Sequence, residues 1–329
     1  MNPNSSSYFS VAMSAKAFAL VNVPSSAVSI LLNIFFVYCM VVPQRGAEQL
    51  KNILKVLQGS LVACNITIHS CSILIVLCDF VIRDLTDVFM LYVLLHLIFY
   101  VMLYAMMTIV TSCHLKNTFY FCQIVPLQQS FFIWIKKNIR AFVYTALILN
   151  ATFCLFCLAV DISSAIVVLN FLSGQINSTD EFSAVLNSLQ ISSNIELVDI
   201  FCRLGYMFLS IFVTLVSGSA TVHYLWRHMK NVEESGLFSA RLQRQMKMTI
   251  INITAQLLMN FLFSDGTVIT EIVANFSAVF FDWNGYIICT LISLHSFVTT
   301  ISMAVNQSAF RNGIVLVWQK FSRLLSLNN

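Results

Sequence analysis

The chain has 329 residues, 58% hydrophobic and 10% charged, with 28 Phe, a formal net charge of +4 and a mean hydropathy of +0.83. Ordinary soluble domains carry about 25% charged residues, so a water-soluble globular protein is excluded. Apolar runs of about 20 residues, enough to cross a hydrocarbon core of ~30 Å as helix, recur along the sequence and predict an all-α, polytopic membrane protein.

Seven spans are predicted. The first covers about Ala17–Val42 and the second Val56–Phe80. The third starts near Val88; from Phe89 to Phe121 it would measure about 50 Å at the helical rise, so it projects past the bilayer or tilts until Pro126 stops it. The fourth covers about Ala141–Phe171, the fifth Ile200–Trp226, the sixth Met248–Ile269 and the seventh Tyr286–Asn306. Asn252, Gln256, Asn260 and Asp265 interrupt the sixth. The whole of 1–329 reads as one domain, with a short outer N-terminus (1–16), a short inner tail (307–329) and no internal repeat.

Orientation follows from the cations, which gather in short cytoplasmic loops. Arg45, Lys51 and Lys55 follow span one; Lys116, Lys136, Lys137 and Arg140 follow span three. Arg227, Lys230, Arg241, Arg244 and Lys247 follow span five, and Arg311, Lys320 and Arg323 lie in the tail. That places 15 of the 18 Lys and Arg on one side, against Lys16, Arg83 and Arg203 on the other. The N-terminus is therefore expected outside and the C-terminus inside. The opening MNPNSSSYF lacks a basic start and an early apolar core, so no cleaved signal peptide is expected. Of the sequons, Asn4, Asn177 and Asn275 face outside, and Asn177, between spans four and five, has the most room for a glycan.

Enzyme signatures are missing: there is no His-Glu-x-x-His and no Gly-x-Ser-x-Gly, and the six histidines are scattered. No catalytic activity, metal, cofactor or nucleic-acid partner is expected. The ten cysteines fall in spans or inner segments, so no disulfide framework is expected; Cys154 and Cys157 read as small apolar fillers. An odd span count with scarce Gly and Pro argues against a transporter built from inverted repeats. The Asp-Arg-Tyr and Asn-Pro-x-x-Tyr patterns of rhodopsin-like receptors are also absent.

Other motifs are present. Phe119-Tyr120-Phe121, then Gln123-Ile124 and FFIWIKK (131–137), is similar to the segment after span three in vertebrate bitter taste receptors (taste receptors type 2), and looks closer to their fish members than to mammalian ones. Leu225-Trp226-Arg227-His228-Met229-Lys230 resembles that family's pattern at the end of span five. His295-Ser296-Phe297 with Asn306 resembles its span-seven pattern, and Asn33 in LLNIFF its span-one asparagine. Three positions depart: Asn65 stands where the family has a span-two arginine, and Met102 and Met106 stand where mammalian pockets often hold Trp and Asn.

The resemblance implies a seven-transmembrane-helix G-protein-coupled receptor in the plasma membrane of chemosensory cells. It implies bitter small-molecule agonists bound in the outer half and a heterotrimeric, gustducin-like G protein inside. A vomeronasal type 1-like or orphan seven-helix receptor is the alternative within the class, and a channel or transporter the alternative outside it. Homo- or hetero-oligomers remain open.

Candidate ligand residues are Phe99, Met102, Leu103 and Met106, recurring on one face of span three, with Asp161 and Asp265. Asp265 lies 18 residues beyond Lys247, roughly 27 Å up its helix, where a carboxyl needs a wet cavity or a partner. For Asp265 the pocket reading is favoured; for Asp161, a hydrogen-bonded structural acid. Candidate coupling or switch residues are Phe119, Tyr120, Phe121, Lys136, Lys137, Trp226, Arg227, His228, Lys230, His295 and Ser296. Lys136, Lys137, Arg140 and Trp134 also suit an interfacial anchor on membrane lipids. Asn33 and Asn65 are read as structural polar positions.

Overall fold

The computed structural model describes residues 10–41, 52–82, 88–126, 129–172, 179–234, 240–276, 280–282 and 284–306, with 310, 313–315 and 319. The glycan candidates Asn4 and Asn177, the cations Arg45, Lys51, Arg83, Arg311, Lys320 and Arg323, and most of the tail lie outside the described residues. The element order is β1 (Ser10–Val11), α1 (Ala15–Val41), α2 (Asn52–Leu77), α3 (Val88–Ile124), α4 (Ser130–Lys137), α5 (Ile139–Leu172), α6 (Thr179–Glu234), α7 (Ala240–Phe276), β2 (Phe280–Phe281) and α8 (Tyr286–Asn306). A single π-helical turn, Cys78–Ile82, ends the second span. Among the described residues seven helices, all but α4, are long and apolar enough to cross a membrane. The chain is a seven-helix membrane bundle.

The seventh span has the predicted bounds, and α3 stops at Ile124, two residues short of Pro126. A proline disfavours helical backbone at the residue before it, which accounts for the stop. The fifth span departs from expectation: α6 begins at Thr179, inside the predicted outer loop, and runs 56 residues to Glu234. No Gly or Pro lies between Thr179 and Gly205, so nothing in the backbone chemistry interrupts it. For the same reason α7 extends beyond Met248–Ile269 at both ends, and Asn252, Gln256 and Asn260 leave its backbone bonding intact.

In a bilayer the apolar face turns outward and polar groups find partners within the bundle. Helix α1 shows this inversion. Its buried stripe includes Asn22, Ser26, Ser29 and Asn33, while Leu20 and Leu31 face outward. The stripe is stitched to α2 and α8. Asn22 donates to Thr290 Oγ1 at 2.9 Å, and Ser26 Oγ lies 3.0 Å from His69 Nδ1. Asn33 donates to Thr300 Oγ1 at 2.8 Å, and Ser296 donates to Asn65 Oδ1 at 2.8 Å. Pro24 interrupts the bonding of α1, and the neighbouring Ser25 hydroxyl takes up the carbonyls of Val21 and Asn22.

A clasp closes the N-terminal face. β1 pairs in parallel with β2, Ser10 against Phe280 and Val11 against Phe281. The chain then turns through Asp282 at φ +47 and Gly285 at φ +67, a left-handed backbone that Asp and Gly tolerate best. Asp282 Oδ2 accepts the Ile287 and Ile288 amides at 2.8 and 3.0 Å, capping α8. Burial pushes the Asp282 carboxyl up, against the pull of these amides in the other direction.

At the opposite face a smaller apolar cluster joins Ile53 and Leu57 of α2, Leu115 and Phe119 of α3, Ile135 of α4 and Val143 of α5. Helix α4 buries Ile135 there and leaves Ile133 and Trp134 exposed, as an interfacial helix would. All ten cysteines are free.

Candidate functional site

The site is built on α6, where Asp199 and Arg203 stand one turn apart, at the (i, i+4) spacing that lets opposite charges meet. Arg203 Nη1 donates to Asp199 Oδ2. Its Nε and Nη2 both donate to Glu271 Oε1 on α7, at 2.9 and 2.5 Å. All three residues are buried, at 4 to 7% exposure. One guanidinium thus ties α6 to α7 about a turn and a half below the N-terminal-face end of α7 at Phe276.

Helices α3 and α5 complete the cluster. Tyr104 of α3 donates its hydroxyl to Asp161 of α5, both buried. Tyr100 stacks on Tyr104 with ring centroids 6.2 Å apart, and His96 meets Tyr100 edge-on at 4.8 Å. The Cys157 thiol lies beside Asp199 and Asp161. Below this layer Thr111, Asn150 and Tyr206 bond α3, α5 and α6 together without charges.

The cluster holds three carboxyl groups against one guanidinium. Removing charges from water costs several kcal/mol per ion, and the attraction regained roughly offsets this only when every lone pair has a partner. Asp199 Oδ1 has no hydrogen bond. A well-packed apolar layer would hold four helices together at least as well, so adhesion alone does not account for the charges.

The residues expected to bind ligand separate in the structure. Asp161 is in the cluster through Tyr104. Met102, Leu103 and Met106 are buried in the apolar core, with Phe99 packed against it and near the Gly285 turn. At about 100° per residue Phe99, Met102 and Met106 lie roughly on the far side of α3 from Tyr104 and Leu103 a quarter-turn away, so the polar group that α3 contributes is Tyr104 rather than the methionine stripe. Asp265 is half-buried beside the inward face of α7, which is formed by Ser264, Thr267, Val268 and Glu271. The acid that α7 sends into the bundle is Glu271.

Asp199, Arg203 and Glu271 were not among the expected site residues. Spans drawn from Ile200 and to Ile269 leave two of them outside and Arg203 at an edge. Their signal was the Asp199/Arg203 spacing in a stretch, Thr179 to Leu204, that holds no Gly or Pro.

The residues expected at the coupling face also divide. Trp226, Arg227, His228 and Lys230 are exposed at the far end of α6, with His228 stacked on Tyr224. Lys136 and Lys137 are exposed on α4. Phe119 is buried in the smaller apolar cluster, with Tyr120 and Phe121 packed against it and Phe121 edge-on to Phe132. Lys116, counted with the loop cations, is buried in α3.

His295 and Ser296, expected as coupling or switch residues, are buried midway along α8, His295 with Nε2 3.4 Å from Asn260 Oδ1; they form no part of the exposed cation-bearing face, and of the two roles burial leaves the switch. Asn33 and Asn65 are fully buried in the hydrogen-bonded seam of α1, α2 and α8. The site therefore rests on its own geometry and on the motifs quoted above, for no protein-family model and no curated protein matches the chain.

Proposed function

We propose that this protein is a chemosensory receptor of the bitter-taste type, a plasma-membrane G-protein-coupled receptor with its N-terminus outside. Bitter small molecules act at the Asp161/Tyr104/Asp199/Arg203/Glu271 cluster, and a heterotrimeric G protein docks at the cation-bearing face. The observation that carries this reading is the charged junction of α3, α5, α6 and α7, near the N-terminal face, in a bundle whose exposed cations gather at the other end.

A ligand that competes for Glu271 or Asp199 loosens the bridge between α6 and α7. Both helices run unbroken to the far face, where α6 carries Arg227 about 36 Å from Arg203 at the helical rise. Between these points α6 approaches α7 closely at Gly218, where a Cβ would meet the Leu257 side chain at 2.4 Å. A change in the bridge is therefore leveraged about a tight contact into a displacement of the Trp226–Lys230 end.

The test is a calcium-mobilisation screen of the full chain, co-expressed with a promiscuous Gα, against a panel of bitter compounds. At least one compound should give a concentration-dependent response that Glu271→Gln shifts by tenfold or more at equal surface expression. Silence to the whole panel at verified surface expression would count against the bitter-receptor reading. A glycosidase-sensitive shift that disappears in Asn177→Gln is expected from the orientation, and glycans accepted in the Arg227 loop instead would reverse it.

A further inference from the structure

A groove of about 190 Å³ runs between α7 and α8 in the half nearer the cation-bearing face. One wall is Asn252, Gln256 and Asn260, and the other includes Ile301, Ser302 and Val305. The carboxamides recur every fourth residue, so they share one face of α7 and span about 12 Å. They begin about 7 Å beyond Lys247 and end about 20 Å beyond it, within the hydrocarbon layer. Ile301 and Val305 are 38% and 51% exposed, so the groove opens sideways to the bilayer.

The three amides are short of partners. Asn252 and Gln256 make no hydrogen bond in the described structure; Asn260 meets His295 through Oδ1, and its buried amide nitrogen has no hydrogen-bond partner. Acyl chains offer no donor or acceptor, and water does not fill a lipid-facing groove at this depth. The occupant must therefore bring hydrogen-bonding groups spaced along its length. Among the described residues no charged side chain lines the groove, which suits a neutral occupant. A glyceride, with its hydroxyls bunched at one end, leaves most of the stripe unmatched.

We propose that the α7–α8 groove is a binding site for a neutral polyhydroxylated amphiphile of the steroid-diol class, taken up laterally from the membrane. Its apolar frame lies on Ile301 and Val305, and its hydroxyls bond the Asn252, Gln256 and Asn260 carboxamides. The site is separate from the Arg203 cluster and does not depend on what that cluster binds.

The test uses the purified full chain in phosphatidylcholine nanodiscs and a diazirine-bearing steroid diol as photoprobe. Labelling should map to α7 and α8, be competed by the unlabelled diol, and resist competition by the same frame lacking hydroxyls and by its sulfated form. Asn252→Leu/Gln256→Leu should reduce labelling at least tenfold. Ile301→Trp, which fills the groove from the opposite wall and leaves the amides intact, should do the same, so a folding defect in either variant does not decide the matter. Labelling that survives both variants, or equal competition by the hydroxyl-free frame, would overturn the proposal in favour of ordinary lipid filling. So would copy-to-copy disulfides through Gln256→Cys with no probe labelling, because the occupant is then a second copy of the chain.

Discussion

Two regions of this bundle solve the same problem with different chemistry. Helices α1, α2 and α8 are joined by neutral groups, Asn22 with Thr290, Ser26 with His69, Asn33 with Thr300 and Asn65 with Ser296. Helices α3, α5, α6 and α7 meet instead at Tyr104, Asp161, Asp199, Arg203 and Glu271. Neutral hydrogen bonds between membrane helices average about 0.6 kcal/mol and persist whatever charge a visitor carries. A buried ion cluster is no better as an adhesive, but its balance changes when another charge arrives. Under the proposed function, the difference makes the first region frame and the second detector.

The largest effect expected is at Arg203. Arg203→Ala leaves Asp199 and Glu271 buried without their cation, and should destabilise the folded protein by about 3–5 kcal/mol in unfolding of the detergent-purified chain. The apolar replacement Asp199→Leu/Arg203→Met/Glu271→Leu should recover wild-type stability or exceed it, yet abolish the agonist response. If the triple variant signals normally, the cluster is packing and the contrast with α1, α2 and α8 disappears.

Next comes Tyr104→Phe, which removes the donor to a buried carboxyl at a cost of about 1.5–3 kcal/mol, the range for hydrogen bonds to charged groups. Its agonist concentration–response curve should shift by tenfold or more, while Met102→Leu, on the other side of α3, should leave the curve in place. A shift with Met102→Leu and none with Tyr104→Phe would move the detector to the methionine face.

How much of this was legible in the sequence follows the same division. Hydropathy located all seven spans, because the frame and the lipid-facing surfaces are made of what hydropathy measures. Tyr286–Asn306 could be read to the residue. Hydropathy is blind where helix continues through polar sequence: α6 from Thr179 to Ile200, and α7 from Ile269 to Phe276. Asp199, Arg203 and Glu271 lie at or beyond those edges, so a reading that ended the helices there lost the detector's charges. Asp265 was preferred for its depth, which the sequence gives; its place around the helix depends on how α7 packs, which the sequence does not. His295 and Ser296 are expected as coupling or switch residues by motif; their position midway along a helix predicted at its observed bounds gives their depth in the bilayer, and only the packing of α8 gives their burial.

A smaller effect is expected at Gly218, where a Cβ would sit 2.4 Å from the flexible end of Leu257. Gly218→Ala should cost about 1 kcal/mol through overpacking, and Leu257→Ala should relieve the clash in the double variant at the expense of its own cavity. If α6 pivots on α7 here, Gly218→Ala should also change basal signalling while leaving agonist potency within about threefold, since 1.4 kcal/mol at the binding site would be tenfold. Unchanged basal signalling with a normal loss of stability would make the contact packing alone.

The smallest effect tests the frame. Ser296→Ala deletes the hydroxyl that Asn65 Oδ1 accepts at 2.8 Å, in a seam with no charged member. A neutral bond of this kind predicts about 0.6 kcal/mol, close to the resolution of a thermal-shift measurement. Asn65→Ala should cost somewhat more, because Ser296 then keeps a buried hydroxyl without an acceptor, although the backbone carbonyl one turn back is within reach of a rotated serine. Neither change should alter agonist potency, since no charge moves and α6 is not touched. A tenfold potency shift in Ser296→Ala at preserved stability would show that α8 reports on the ligand as well. The neutral seam would then belong to the detector, and the boundary between the two regions would have to be drawn inside α8 itself.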